Sequence, residues 1–314
     1  MILKLATGAA AAGGMLGALY AYRMAYFSPK KGRDDEYLLP TQEEYASSLE
    51  IMRGCIDLLR QVPYEPVEIV AYDGKRLFGR YYHRNHRSPV QIQFHGYRGS
   101  AMRDFCGGAQ LALKMGHNVL LVDQRAHGRS QGSTITFGVR ERLDCQSWCR
   151  YARRRFGPYR NLILAGVSMG AATVLMASEL PLPSTVRAIL ADCPYSDQRK
   201  MIAKVAGEMG LPEKPALAAC VAGAVMYGRF RLGEISPLEA VKRTKIPILL
   251  LHGEADRFVP CDMSRELFRA CVSKKRLETF PGAVHGMSYL SDPERYERVV
   301  REFLQEHVES NRLT

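Results

Sequence analysis

The chain has 314 residues, of which 46% are hydrophobic and 24% charged, enough to bury the core of one large domain. Its formal net charge is +12, but the basic residues are spread along the sequence and no nucleic-acid-binding module accompanies them; this weighs against a nucleic-acid partner and in favour of an anionic membrane surface. Eight cysteines without a Cys-x-x-Cys spacing argue against a disulfide framework or a thiolate zinc site and make buried free thiols the expectation.

In chain order, Leu5 to Tyr22 carries no charge and, apart from Thr7, consists of Ala, Gly, Leu, Met and Tyr. That length is the lower limit for a bilayer-spanning helix. A signal peptide and a peripheral amphipathic arm compete with that reading, but the segment ends in Tyr20, Tyr22, Tyr26 and Phe27, an aromatic belt rather than a small-x-small cleavage site. Residues 1–27 are therefore expected to be a retained membrane anchor. Arg23, Lys30, Lys31 and Arg33 follow it, and the positive-inside tendency puts the remainder of the chain on the cytoplasmic side. Residues 28–40, rich in charge and turn formers, read as a linker to a domain spanning 41–314.

Thr41-x-x-Glu44 reads as a capping box opening a helix, on which Tyr45, Leu49, Met52, Ile56 and Leu59 share one face. The plain reading is a helix packed on the domain, and the sharper one is a wall of an acyl pocket. Val67 to Tyr72 and Leu77 to His83 form a hairpin around Asp73-Gly74. Val90 to Phe94, Val119 to Val122, Leu162 to Val167, Ala188 to Ala191, Ile248 to Leu251 and Leu277 to Phe280 are short apolar strands separated by helical stretches. That alternation predicts an α/β fold, a mostly parallel eight-stranded sheet with helices on both faces and ligands bound beyond the carboxyl ends of the strands.

The strand Leu162 to Val167 runs into Gly166-Val167-Ser168-Met169-Gly170 and then into small helix formers. A Gly-x-Ser-x-Gly between strand and helix is a nucleophile elbow, which makes Ser168 the candidate nucleophile. His95-Gly96-Tyr97 leaves an earlier strand, where the backbone N–H of Tyr97 would join that of Met169 as an oxyanion hole. Asp256 follows the strand ending at Leu251, and His285 follows the last strand. His285 would be the general base and Asp256 its orienting acid, with Asp192 the rival acid and Glu254 a weaker one. His95 and His252 read as packing residues.

The order Ser, Asp, His, together with His95-Gly96-Tyr97, Asp123 to Ser130, Gly166 to Gly170, Gly253 to Pro260 and His285-Gly286, resembles the α/β-hydrolase superfamily over about Val67 to Val308. The nearest group is the serine aminopeptidase-like or monoacylglycerol-lipase-like serine hydrolases. Ala126 stands where that family commonly has Gly, and Asp123, Arg125 and His127 would be structural. The resemblance also implies a short helical cap, here about residues 194–246. A Met-rich helical face reads first as core, but methionine adapts to varied ligands, which makes Met201, Val205, Met226 and Phe230 the candidate substrate-binding residues.

The function expected is a serine hydrolase that cleaves lipophilic or small acyl esters through an acyl-enzyme. A thioesterase or aminopeptidase on the same triad, and a non-catalytic membrane-tethered binding protein, are the alternatives. An aminopeptidase should offer an acid to the substrate's amino terminus, and Asp197, Glu208, Glu213 and Glu234 of the cap do not obviously converge. No cofactor or metal is expected, since His83-x-x-His86 lacks a third ligand. Oligomeric state is not legible.

Overall fold

A computed structural model describes residues 2–29 and 35–309, with residues 2–12 and 309 as backbone alone. The chain runs α1 (Ile2–Ala25), α2 (Leu49–Arg60), β1 (Glu65–Val70), β2 (Arg76–Tyr82), β3 (Val90–Phe94), α3 (Ala101–Asp104), α4 (Cys106–Lys114), β4 (Asn118–Val122) and α5 (Glu141–Phe156). It continues through β5 (Leu162–Val167), α6 (Met169–Ala177), β6 (Val186–Asp192), α7 (Gln198–Glu208), α8 (Glu213–Met226) and α9 (Pro237–Val241). The last elements are β7 (Ile248–Gly253), α10 (Asp262–Ala270), β8 (Lys275–Phe280), α11 (Ser288–Ser291) and α12 (Pro293–Leu304).

Every residue of β3, β4 and β7 is buried, as a strand covered on both faces requires. β1 instead alternates exposed and buried positions over its second half, consistent with its place at the sheet edge. The eight strands lie in the order β1-β2-β4-β3-β5-β6-β7-β8, antiparallel at β1/β2 and β2/β4 and parallel elsewhere. Two apolar cores flank the sheet, one centred on Trp148, Leu175 and Leu250, the other on Ile56, Phe105 and Phe303. From β3 the chain goes to β4 on one side and returns to β5 on the other, so a crevice opens beyond the carboxyl ends of β3 and β5.

The helix expected to open with the Thr41 capping box starts later. Glu43–Ser48 form a 3₁₀ turn without a side-chain cap, and α2 begins at Leu49. A tertiary contact accompanies the tighter turn: the Tyr45 hydroxyl reaches the His285 carbonyl oxygen at 3.2 Å. The expected linker is also tied down where it is described. Ser28 Oγ donates to the Ala126 carbonyl at 2.7 Å, Glu36 pairs with Arg80 at 2.6 Å, and Arg103 Nη1 donates to the Leu38 carbonyl at 2.9 Å. Residues 30–34 of it lie outside the described residues.

Among the described residues no helix is long and apolar enough to cross a membrane. The side chains of residues 2–12, within the expected anchor, lie outside the description. The later part of α1 packs against α8, burying Ala18 and leading into the fully buried Tyr26.

A buried ion pair fixes the loop after β4. Arg125, 2% exposed, sends Nε and Nη2 to the two Asp144 oxygens at 2.5 and 2.6 Å, and Nη1 to Asp73 at 3.2 Å. Replacing one partner strands the other charge in a medium that cannot solvate it. Arg125→Met should cost about 3–5 kcal/mol in urea denaturation, and Arg125→Met/Asp144→Leu should recover most of that loss.

Candidate active site

Ser168 stands between β5 and α6 at φ +56°, ψ −116°, a conformation L-residues rarely hold. Its neighbours explain how the turn closes. A Cβ on Gly166 would lie 2.3 Å from the Gly170 carbonyl group, and one on Gly170 would lie 1.8 Å from the Phe94 carbonyl oxygen. Only glycine lets α6 pass so close to the ends of β3 and β5. Ser168 N donates to the Asp192 carbonyl at 2.9 Å, which extends the β5/β6 ladder into the turn.

The three triad candidates come together from three strand ends. The Ser168 hydroxyl lies 3.0 Å from His285 Nε2, and His285 Nδ1 lies 2.7 Å from Asp256 Oδ2. Asp256 Oδ1 accepts the backbone N–H groups of Phe258 and Val259 at 2.9 and 2.8 Å, so the loop that carries the acid also aims it. Burial pushes the Asp256 carboxyl up, but hydrogen bonds from His252 and His285 outweigh it and hold the group down at about 2. The acid is thus an anion throughout the neutral range. The rivals are engaged elsewhere: Asp192 accepts from Ser288 Oγ at 2.8 Å, and Glu254 accepts from Thr279 at 2.6 Å.

The loop after β3 is held from both sides of Tyr97. Gly96 N donates to Asp104 Oδ2 at 2.6 Å and Arg98 N to His127 Nε2 at 3.0 Å. Tyr97 N has no partner among the described hydrogen bonds, and Met169, as the first residue of α6, has no intrahelical acceptor for its own N–H. His95 is wholly buried and takes both its ring nitrogens to backbone, Gln124 N at 3.0 Å and the Gly96 carbonyl at 2.8 Å.

A cavity of about 490 Å³ opens at Ser168 and His285. Its walls are the 38–45 segment, Met52, the Gly96–Arg98 loop, Phe258, Met287 and Leu290. None of the four expected substrate-binding residues lines it. Met201 is buried in a cluster with Met169 and Met176, while Phe230 packs edge-to-face on Tyr26 with ring centres 5.2 Å apart. Val205 is half-buried and Met226 exposed. The buried apolar side chains of the cap pack toward α6 and α1, and one side of the pocket is walled by the segment leading into α2.

Two residues that read as packing in the sequence also support the triad. His252 lies beside the acid, with Nε2 2.8 Å from the Val259 carbonyl and 3.3 Å from Asp256 Oδ2, and Nδ1 2.6 Å from Ser264 Oγ. Its position four residues before Asp256, at a strand end, was the available signal. Tyr45, on the helix face that reads as packing or as a pocket wall, holds the His285 backbone and lines the cavity. Among the described residues, ligating atoms of Cys193, Asp256 and His285 lie within 4.8 Å of one another, but two of these three groups are already hydrogen-bonded together. The His83 and His86 rings lie 4.4 Å apart at a 46° tilt, with no third ligand grouped with them among the described residues.

A mostly parallel eight-stranded sheet that presents a strand–serine–helix elbow at its switch point defines an α/β hydrolase. The chain belongs to the alpha/beta hydrolase family, whose model matches residues 94–299. It is 30% identical over 196 residues to the uncharacterised protein YqkD of Bacillus subtilis, covering 62% of this chain and 64%, just under two thirds, of that one. The uncharacterised protein YfhR of Escherichia coli is 28% identical over 229 residues, 70% of this chain and 73% of its own length. Among solved structures, an esterase of Pyrococcus furiosus superimposes with a TM-score of 0.63 at 25% identity, covering 78% of this chain and 92% of the esterase.

Asp192 gives the site a pH signature. Burial pushes its carboxyl up to about 6, against hydrogen bonds from Ser288 and Tyr296 and the imidazoles of His252 and His285. A carboxyl that holds its proton longer when folded weakens the fold as pH rises from its unfolded value of about 4 to about 6, by up to about 1.4 kcal/mol per unit. Asp192→Asn keeps an acceptor for Ser288 and cannot ionise. In urea titrations across pH it should be more stable than the parent at pH 7 to 8, with the difference vanishing near pH 4.

Proposed function

We propose that this chain is a serine hydrolase that cleaves carboxylic esters through an acyl-enzyme intermediate. The observation that carries the reading is the unbroken line of contacts Ser168 Oγ, His285 Nε2, His285 Nδ1 and Asp256 Oδ2, at 3.0 and 2.7 Å, at the floor of the cavity. His285 takes the proton from Ser168 as its oxygen attacks the ester carbonyl, then delivers it to the leaving alcohol. Asp256 keeps Nδ1 protonated and stabilises the imidazolium. The Tyr97 and Met169 N–H groups meet the oxyanion, each such donor being worth about a hundredfold or more in rate. Water repeats the sequence on the acyl-enzyme and releases the acid.

The cavity supports lipophilic or small acyl groups, because Leu39, Met52, Met287 and Leu290 give it an apolar side. An ester fits better than a peptide. Of the cap carboxylates, Asp197 pairs with Arg199, Glu208 with Lys204 and Glu234 with Arg142, and none of these acids lines the cavity. Asp104 is neutralised by Arg103 at 2.5 Å, and Glu44 stands at the exposed rim.

The test is hydrolysis of p-nitrophenyl esters from acetate to palmitate by the full chain, with fluorophosphonate labelling of Ser168. Ser168→Ala should abolish labelling, and Asp256→Asn should lower kcat by about 10⁴ while leaving the fold intact. Absence of turnover on every ester, together with absence of labelling, would sink the reading. Met52→Trp should fill part of the acyl wall and lower kcat/KM for palmitate relative to acetate by about tenfold.

A further inference from the structure

We infer that α1 and α8 form a lipid-docking face, an apolar helix pair that rests on an anionic bilayer surface beside the mouth of the cavity. The inference rests on surface properties alone and is independent of the hydrolytic reading.

From Pro215 to Met226, α8 carries no charge, and from Gly13 to Ala25, α1 carries only Arg23. The two helices run antiparallel in backbone contact. Tyr227 donates to the Met15 carbonyl at 3.2 Å, Tyr26 donates to the Cys220 carbonyl at 3.1 Å, and a Cβ on Gly223 would lie 2.5 Å from the Ala18 carbonyl oxygen. Ala18, Gly223 and Ala224 fill the seam and are buried. The flanks are not: Leu16 is 67% exposed, Tyr20 65% and Val225 51%, with Leu19, Val221 and Met226 also exposed. A helix that is apolar all round is normally buried, and exposed apolar side chains on both members of a packed helix pair point to a binding face.

Charge selects the occupant. Arg23 sits on α1, Arg229 and Arg231 follow α8, and Arg98 donates to the Met24 and Phe27 carbonyls at the end of α1. None of these four arginines enters an ion pair among the described residues. Apolar side chains flanked by unpaired arginines match the two layers of an anionic lipid surface, acyl region and headgroup. A second copy of a chain with net charge +12 would instead bring like charges together across the same face. The face is joined to the site, since the Tyr97 hydroxyl donates to the Ala25 carbonyl at 2.9 Å and Tyr97 and Arg98 line the cavity. Docking of this pair needs no helix to cross the bilayer.

The experiment is flotation of the full chain with vesicles of phosphatidylcholine containing phosphatidylglycerol, beside Val221→Asp/Val225→Asp and the milder Val221→Ser/Val225→Ser, each checked for a native melting transition. The parent should float, more weakly at high salt, and the aspartate pair should lower the bound fraction about tenfold or more, with the serine pair between them. Three outcomes would overturn the inference: flotation of the folded variants equal to the parent, no flotation of the parent, or a dimer dissociated by the same substitutions in a chain that ignores vesicles.

Discussion

The rest of the structure depends on one close approach, the passage of α6 behind the ends of β3 and β5. With 1.8 Å from a hypothetical Gly170 Cβ to the Phe94 carbonyl oxygen, the helix touches the sheet backbone itself. That contact forces Ser168 into a positive φ and lifts its hydroxyl clear of the strand. A strained residue persists only where its surroundings over-determine it. Here every residue of α6 is buried, and the Ser168 N–H is bound by β6.

A second layer of order makes the polar groups of the site fixed dipoles rather than mobile ones. The loop after β3 is gripped by Asp104 and His127, and His127 is itself held through its Nδ1 by the Arg125 carbonyl at 2.9 Å. Arg125 in turn is locked to Asp144 on α5. A chain of polar contacts, buried up to its last link, therefore runs from α5 to the Arg98 N–H, next in sequence to Tyr97. Such preorganisation is what a developing oxyanion requires, because dipoles that need not reorient stabilise it at no further cost.

Much of this was legible in the sequence because it is local. Buried parallel strands announce themselves as apolar runs, and Gly166, Ser168 and Gly170 encode the turn by their spacing. Asp256 and His285 each follow a strand end; Asp192 does as well, so chain order leaves more than one acid open. The pocket was legible only in part: the helix face bearing Tyr45 and Met52 admits a reading as an acyl-pocket wall, and both line the cavity, but the other walls meet it only through tertiary packing, Tyr45 itself reaching a residue 240 positions away. Methionine in the cap signals apolar contact without saying with what, and Met201 faces the α6 core rather than the cavity. The capping box at Thr41 misled for the same reason, because long-range contacts of Tyr45 override a local preference.

Part of the cavity wall, residues 38–45 and Met52, lies outside the stretch 94–299 that carries the family match, while the Gly96–Arg98 loop, Phe258, Met287 and Leu290 lie inside it. The upstream part of the wall is joined to the rest by the hydroxyl of Tyr45 on the backbone carbonyl of His285. A length change upstream of α2 would therefore reach both the chamber and, through Tyr45, the backbone of His285. The architecture leaves one side of the chamber to a preface that the family match does not reach.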